Sequence, residues 1–406
     1  MEKFTNGRQA MGKFADLYGK KTFHQLLRYE ELVRRFKKKY KSKFCYLASS
    51  SGRVELIGNH TDHNGGKVLG CTVDADIVAA FLPNDKNNVC LEGNNYRRIN
   101  FDVENIFNVE SGSVGMVKGV LVGLANRGYK VGGFDAVVNS TLPSGAGMSS
   151  SAAFQLLVAT IQNHLYNDGK IDEKTLAEVG QFAENVYFKK PCGLLDQGVI
   201  SVGGLVAIDF SKGFCATRVQ NNLAALNLVV VNTGKSHASL TEHYAAIPQE
   251  MKNVANFFGK ERLADVDEQT FWENFAQAQC ATSSRSVLRA KHFFEENRRV
   301  EMAVQAVQCG NKEQFLSLLN DSGQSSEHNL QNCRVGDDST IADAVAFAHT
   351  VCPHCAARVH GGGFQGTVLA VMDNSDVGVF TEEMSKRYGK NNVKVLKVRK
   401  CGATVL

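Results

Sequence analysis

The sequence contains no stretch of about 18 apolar residues, the length that is needed to cross a membrane. Its first residues are polar and include Glu2 and Lys3, where a secretory signal would have an apolar core. The net charge of +5 permits an anionic substrate but is too small to indicate nucleic-acid binding. From these absences we expect a cytoplasmic protein that binds neither a membrane nor nucleic acid.

The chain also lacks a disulfide framework and a recognisable interdomain linker. Its 11 cysteines are odd in number and spread over the whole length, which predicts reduced thiols. Cys352 and Cys355 form one close pair, but a C-x-x-C without a second ligand pair is weak evidence for a metal or redox site. A chain of 406 residues is long enough for two cores, and we place the domain boundary near residue 225, between 1–225 and 226–406.

Two motifs of nucleotide-dependent enzymes are missing as well. The glycine-rich segment 143–154 does not end in the Gly-Lys-Ser/Thr of a Walker motif, and neither His-Arg-Asp nor Asp-Phe-Gly occurs, which argues against a protein-kinase fold. Gly361, Gly363 and Gly366 match G-x-G-x-x-G, but a helical pattern precedes them and a strand pattern follows, the reverse of a dinucleotide fold. We predict instead a backbone turn that closes over a site from the second domain.

Segment 143–154 lies between an apolar extended run and a helical apolar pattern. Gly145 and Gly147 allow the backbone to approach a ligand closely, and the start of a helix offers unpaired N–H groups and a positive dipole end. Such a loop suits a phosphate, although turns that only connect a strand to a helix share the pattern. The three serines 149–151 exceed what one helix cap needs, which favours contacts to phosphate oxygens or magnesium.

A second segment, 51–66, is rich in side chains that donate and accept hydrogen bonds. These side chains belong to Arg53, Glu55, Asn59, His60, Asp62 and His63. A polyhydroxylated ligand needs such a set if its buried hydroxyls are to be paired, although a surface turn could also hold these residues. Zinc binding by the two histidines is disfavoured, since the H-E-x-x-H helix pattern and a third distant ligand are missing.

Asp196 stands in a glycine-flanked turn among apolar neighbours. This position would bring a carboxylate close to a reacting group, where it could act as a general base. The carboxylate could equally cap the segment that follows, and the local pattern leaves both interpretations open.

Five segments in this order resemble the motifs of the GHMP small-molecule kinases, and of the galactokinases among them. They begin at Gly52-Arg53, Pro143, Pro191-Cys192-Gly193, Asn232-Thr233 and Arg358, and the similarity covers about residues 50 to 370. The resemblance implies an α+β fold of two domains, the first similar to ribosomal protein S5 and the second ferredoxin-like. It also implies that ATP and a sugar bind in the cleft between them, and that the anomeric hydroxyl of galactose is phosphorylated to galactose 1-phosphate.

By the same resemblance, Asp196 takes the proton of the sugar hydroxyl, while Arg53 stabilises the attacking oxygen and the γ-phosphoryl charge. Ser151 and Glu184 would hold Mg2+. The phosphate loop would comprise Ser144, Gly145, Ala146, Gly147, Met148, Ser149, Ser150 and Ser151. The sugar site would comprise Asn59, His60, Asp62, Gly193 and Tyr244. These roles agree with the positioning and positive charge that phosphoryl transfer requires, and with the hard oxygen ligands that magnesium prefers.

The sequence departs from the galactokinase pattern within the first motif. Glu55 stands where galactokinases usually have Asn, Asn59 where they have a sugar-contacting Glu, and His63 where they have Tyr. Exchanging a carboxylate for an amide can change sugar discrimination by orders of magnitude. A 1-kinase for galacturonate, arabinose or an N-acetylhexosamine is therefore one alternative. A non-catalytic sugar sensor is another, although retention of Asp196 argues against it.

Overall fold

The computed structural model describes residues 7–19, 22–93, 96–142, 147–187, 189, 192–223, 226–234, 240–364 and 366–406. Its helices are α1 Gly7–Tyr18, α2 Phe23–Tyr40, α3 Gly112–Ala125, α4 Ser150–Tyr166, α5 Glu173–Phe182, α6 Leu195–Val202, α7 Thr241–Phe257, α8 Glu268–Glu273, α9 Phe275–Ala281, α10 Ser284–Cys309, α11 Lys312–Ser325, α12 Thr340–Val351 and α13 Asn374–Tyr388. Single π-helical turns, Ala183–Tyr187 and Ser326–Leu330, continue α5 and α11.

The strands form two sheets. They are β1 Tyr46–Ile57, β2 Lys67–Pro83, β3 Asn88–Gly93, β4 Tyr96–Asp102, β5 Phe134–Ser140, β6 Leu205–Asp209, β7 Cys215–Arg218, β8 Leu226–Asn232, β9 Ala356–His360, β10 Thr367–Asp373, β11 Val393–Leu396 and β12 Thr404–Val405. The first sheet has the order β12-β1-β2-β5-β3-β4, and β6 pairs with β2 and β7 beside this path. The second sheet has the order β11-β8-β10-β9.

Alternate residues in the strands of the first sheet point to opposite sides. Helices pack against apolar side chains on both faces of this sheet. Ala79 and Phe81 of β2 join the core that contains Leu157 of α4. Val78 of β2 packs instead in the cluster with Phe36 of α2. The long hairpin of β1 and β2 is interrupted by register shifts between Ser51 and Arg53 and between Glu55 and Ile57. Such bulges re-aim side chains, and here they flank the polar segment of β1.

The second sheet packs α12 and α13 on one face and α10 and α11 on the other. Phe380 of α13 lies against Val229 of β8, whereas Leu369 of β10 belongs to the core shared with the first sheet. This sheet begins with β8, directly after the predicted boundary at residue 225. The final strand β12, however, returns to pair with β1. The division into 1–225 and 226–406 stays a prediction.

None of the described helices combines the length and the apolar character that a membrane crossing requires.

Candidate active site

Arg53 of β1 and Asp196 of α6 form an ion pair between distant parts of the chain. Arg53 Nε and Nη2 lie 2.7 and 2.6 Å from Asp196 Oδ1. The Arg53 side chain is 7% exposed, and that of Asp196 is 33% exposed, so the carboxylate remains accessible from solvent. Asp196 is the second residue of α6 and Leu194 occupies the cap position, so the structure does not assign Asp196 the N-cap role.

The described part of the glycine loop lies against this ion pair. Arg53 Nη1 donates to the Gly147 carbonyl, and the Arg53 backbone N–H donates to the Met148 carbonyl at 3.3 Å. Ser149 Oγ donates to Asp196 Oδ2. Its hydroxyl makes no cap hydrogen bond to α4, which agrees with the prediction that the serines exceed the needs of a cap.

The remaining predicted loop residues, Ser144, Gly145 and Ala146, lie outside the described residues. The flanking elements are those that the sequence predicts, since β5 precedes the loop and α4 begins at Ser150. The structure therefore confirms the strand, loop and helix order around this segment.

Gly147 sits where a side chain could not fit. Its φ is +68°, and a Cβ atom there would lie 2.5 Å from Thr367 Oγ1 and 3.0 Å from His360 Nδ1. His360 and Thr367 are cross-strand partners in β9 and β10, and these two polar atoms have no hydrogen-bond partner within the described part of the chain. The glycine loop thus packs on the turn between β9 and β10, the turn predicted to close over the site.

The protonation state of His360 follows from its surroundings. The Glu55 backbone N–H donates to His360 Nε2 at 3.3 Å, so this nitrogen is an acceptor. Burial, together with the charges of Arg53 and Arg358, lowers the pKa of His360 well below its usual value. The neutral ring therefore carries its proton on Nδ1, the atom that faces Gly147.

Ser151 and Glu184 lie side by side at the start of α4. Ser151 Oγ donates to Glu184 Oε1 at 3.3 Å, and Gln155 Nε2 donates to Glu184 Oε2. Glu184 is 3% exposed and belongs to the π-helical turn after α5. These two oxygen ligands are of the type that magnesium prefers. Across the described part of the chain, no three His, Cys, Asp or Glu side chains group as ligands of a metal ion.

Asp62 and Gly193, two of the residues predicted to bind the sugar, lie next to Asp196. Asp62 Oδ2 accepts the Leu195 N–H at 3.2 Å, directly before Asp196 in the chain. Gly193 packs against the Asp62 carboxylate so closely that any Cβ would collide with it. Tyr244 donates its hydroxyl to the Gly363 carbonyl at 2.9 Å.

His60 lies beside Asp62 and contacts the same turn as Tyr244. Burial, followed by the neighbouring His63, lowers the pKa of His60 to about 4, so the ring is neutral at pH 7. His60 Nε2 lies 2.9 Å from the Gly362 carbonyl and therefore acts as the donor. The turn between β9 and β10 is thus hydrogen-bonded to three of the predicted sugar-site residues, since Asn59 also donates to the Gly361 carbonyl.

Asn59 is buried, and its side chain is fully engaged within the protein. The amide nitrogen donates to Glu55 Oε1 at 2.7 Å and to the Gly361 carbonyl at 2.8 Å. The amide oxygen accepts from Asn332 Nδ2 at 2.7 Å. Glu55 is also buried, and burial, opposed by Arg358 and Arg53, raises its pKa to about 7. Direct sugar binding by Asn59 stays a prediction.

Glu296 of α10 is a residue of this region that sequence reasoning missed. Its Oε1 accepts the Gly58 N–H at 2.9 Å, and Oε2 accepts from Arg299 at 2.7 Å. Burial alone would raise the pKa of Glu296, but His292, Arg299 and Arg358 lower it far below the usual value. The spacing of His292 and Glu296 by four residues on one helix face was the only available signal.

Glu296 and His292 together hold the backbone of the first motif. His292 Nε2 lies 3.0 Å from the Asn59 carbonyl, and Nδ1 lies 2.9 Å from Ser325 Oγ. Burial lowers the pKa of His292 to about 4, so this ring is also neutral. Helix α10 therefore fixes the turn that carries Asn59.

Two family models match this chain. The galactokinase galactose-binding signature covers residues 34–83, which include Arg53, Asn59, His60 and Asp62. The GHMP kinases N terminal domain covers residues 115–204, which include the glycine loop, Glu184 and Asp196. Both matched regions are similar to the GHMP kinases.

Two galactokinases are similar to this chain over most of its length. A galactokinase of Clostridium tetani (strain Massachusetts / E88) is 28% identical over 368 residues, which are 89% of this chain and 92% of the relative. A galactokinase of Enterococcus faecalis (strain ATCC 700802 / V583) is 28% identical over 357 residues, 86% of this chain and 90% of the relative.

The fold of this chain is shared with solved structures. The crystal structure of Lactococcus lactis galactokinase complexed with galactose matches with a TM-score of 0.83 at 24% identity, covering 93% of this chain and 100% of that one. The Methanococcus jannaschii mevalonate kinase matches with a TM-score of 0.63 at 15% identity, covering 89% and 99%. The predicted two-domain GHMP kinase fold of the α+β class is confirmed.

Proposed function

We propose that the protein transfers the γ-phosphoryl group of ATP to the anomeric hydroxyl of galactose, which yields galactose 1-phosphate and ADP. The observation that carries this proposal is the Arg53–Asp196 ion pair beside the glycine loop. The galactokinase signature over residues 34–83 and the galactokinases among the relatives support galactose as the substrate. Asp196 accepts the hydroxyl proton as the sugar oxygen forms its bond to phosphorus and the bond to ADP breaks.

Arg53 provides positive charge at the point where phosphoryl transfer needs it. Its guanidinium is held on one side by Asp196 and on the other by the Gly147 carbonyl, so its orientation is set before substrates bind. A fixed cation stabilises the attacking oxygen and the equatorial phosphoryl oxygens without reorganising during the reaction. The residues of the glycine loop, from Ser144 to Ser150, hold the phosphates in this proposal.

Magnesium fits the oxygen pair of Ser151 and Glu184. Both ligand atoms are hard oxygens, they lie 3.3 Å apart, and Ser151 belongs to α4, the helix that follows the glycine loop. The ion, when bound, neutralises phosphate charge. The buried Glu184 is oriented for this task by the hydrogen bond from Gln155.

His60, Asp62, Gly193 and Tyr244 surround the sugar in this proposal. In this proposal the sugar lies between the first motif and Asp196. The residues around it contact one another and the β9–β10 turn. The hydrogen bond that Asn59 donates to Glu55 favours a second candidate function, a 1-kinase for galacturonate, arabinose or an N-acetylhexosamine. The two candidates share the reaction and differ in the sugar.

A coupled assay of ADP formation with MgATP tests both the reaction and the sugar. Galactose is expected to give the highest kcat/KM in a panel with galacturonate, arabinose and N-acetylgalactosamine. If the enzyme turns over another sugar faster than galactose, that sugar replaces galactose as the proposed substrate. Absence of ADP formation with every sugar would overturn the kinase activity itself.

Asp196→Asn is the decisive variant, because it removes the base and keeps the side-chain shape. We expect loss of ADP formation with an unchanged melting temperature. Asp209→Asn is the matched control, since Asp209 has a similar exposure of 39% and lies at the end of β6. Near-normal turnover by Asp196→Asn would remove Asp196 from the mechanism.

A further inference from the structure

A cavity of about 510 Å³ lies next to the β9–β10 turn, lined largely by basic side chains. Arg285 and Arg289 of α10, Arg334, His243 and His328 face it, and Phe364 forms part of its wall. A volume of this size is typical of a binding site for a small molecule. None of these residues belongs to the catalytic or sugar-binding set proposed above.

The cations around this cavity outnumber the carboxylates that pair with them. Arg285 and Arg289 share the single carboxylate of Glu250, with distances of 3.0 and 2.9 Å. Arg334 pairs with Glu327 at 3.1 Å. Three guanidinium groups therefore face two carboxylates, which leaves one positive charge in excess.

Arg289 is the least compensated of the three cations. Its side chain is 3% exposed, and Nε donates to the Leu330 carbonyl at 3.0 Å. Nη1 lies near Glu250 but makes no hydrogen bond of good geometry. Burial lowers the pKa of Arg289 to about 10. A buried cation in this condition gains free energy from an additional anionic partner.

Two further features specify what kind of anion would fit. Arg285 lies in the first turn of α10, a helix of 26 residues, where the helix dipole adds positive potential. Phe364 also lines the cavity but is buried, and its ring lies 5.3 Å from that of His243. The cavity is larger than a bare phosphate needs, and the exposed ring of His243 offers a surface for an attached organic group.

We propose that this cavity is a second ligand site, which binds a small phosphate ester. The phosphate contacts Arg285, Arg289 and Arg334, and the organic group packs against the exposed ring of His243, which lies beside Phe364. The site is separate from the glycine loop, so its existence does not rest on the proposed sugar kinase activity.

Phe364 also connects the cavity to the active site. Its N–H donates to the Asn332 carbonyl, and the Asn332 side chain donates to Asn59 at 2.7 Å. The neighbouring carbonyls of Gly362 and Gly363 contact His60 and Tyr244. A ligand in this cavity that shifts Phe364 is therefore expected to change the dissociation constant of the sugar, and the sugar must change the dissociation constant of the ligand by the same factor.

Isothermal titration calorimetry tests the site with a non-hydrolysable ATP analogue in excess, which blocks the glycine loop. The probes are glucose 6-phosphate, AMP, inorganic phosphate and unphosphorylated glucose. We expect at least one of the two esters to bind more tightly than inorganic phosphate, and glucose not to bind. Glucose 6-phosphate and AMP distinguish a sugar phosphate from a nucleotide. Equal affinity for inorganic phosphate and both esters would overturn the ester assignment.

Arg285→Ala and Arg334→Ala are expected to weaken ester binding at least tenfold. Both side chains are more than half exposed, so folding should tolerate their loss. Arg298→Ala is the control, because Arg298 is 56% exposed like Arg334 and its partner Glu268 lies outside the cavity. Absence of ester binding by the unmodified protein would overturn the site. Ester binding by Arg285→Ala and Arg334→Ala that is as tight as that of the unmodified protein would also overturn it. An unchanged dissociation constant of the sugar at saturating ester would overturn the coupling through Phe364.

Discussion

Asn59 donates a hydrogen bond of 2.7 Å to the carboxylate of Glu55, four residues earlier in β1. The galactokinase pattern has these two side-chain types in the opposite order. The exchange therefore retains an amide and a carboxylate in contact, and it moves the carboxylate to the strand position two residues after Arg53. This relationship explains how the first motif can depart from the family pattern at both positions while its fold is kept.

The pairing of these two residues predicts strong energetic coupling. Asn59→Glu would place two carboxylates together in a buried site, and we expect it to lower the free energy of unfolding by about 2–4 kcal/mol. The double variant Glu55→Asn with Asn59→Glu restores one amide and one carboxylate and should regain most of that loss. Urea unfolding of the four proteins measures the coupling. Additive single effects would contradict the inferred pairing.

Glu55 also predicts a pH dependence of stability. Its pKa is raised from 4.5 to about 7 in the native protein, so the native state holds the proton at a higher pH than the unfolded state does. The contribution of Glu55 to the free energy of unfolding should therefore fall by about 3 kcal/mol as the pH rises from about 4.5 through 7. The lowered pKa values of His60 and His292 act in the opposite direction, so the contribution of Glu55 is read from the difference between the pH profiles of the unmodified protein and Glu55→Gln. Glu55→Gln should lack this decline, whereas the exposed Glu273→Gln should retain it. Parallel pH profiles for the unmodified protein and Glu55→Gln would contradict the raised pKa.

Gly147 is expected to tolerate no side chain, for reasons of both backbone conformation and space. Gly147→Ala should lower kcat by about a hundredfold, since its Cβ would press on Thr367 Oγ1 and displace the loop. Adding Thr367→Ala removes that oxygen and should recover part of the activity. Steady-state kinetics of the single and double variants measure the recovery. Gly378→Ala is the control, because no atom lies within 4 Å of a Cβ at that position.

The Ser149 hydroxyl should matter to the reaction through its contact with Asp196. Ser149→Ala removes the hydrogen bond to Asp196 Oδ2 and is expected to lower kcat about tenfold. Ser149→Gly removes the same bond but relieves the left-handed φ of +53°. Equal kcat values with a higher melting temperature for Ser149→Gly would assign the kinetic loss to the hydroxyl. Full activity of both variants would show that the contact has no role in turnover.

Much of the candidate site could be found before the structure, because its chemistry is encoded in short segments. A glycine loop between a strand and a helix, a polar segment with Arg53, and Asp196 in a glycine-flanked turn are local patterns. The terminal strand β12 could not be assigned from its two residues, since its place beside β1 depends on a pairing across the whole chain.

The sequence by itself determined the resemblance to the GHMP kinases, the α+β fold and the residue types that phosphoryl transfer needs, because residue spacing and glycine positions express these within a few turns of backbone. Only the tertiary structure decided which side chains meet. Glu296, Asn332 and Gly361 reach Asn59 from three other elements, and their contacts depend on how α10 and the second sheet pack against β1. Hydrogen bonds act over about 3 Å and carry no periodic signal along the chain, so folding alone brings these groups together.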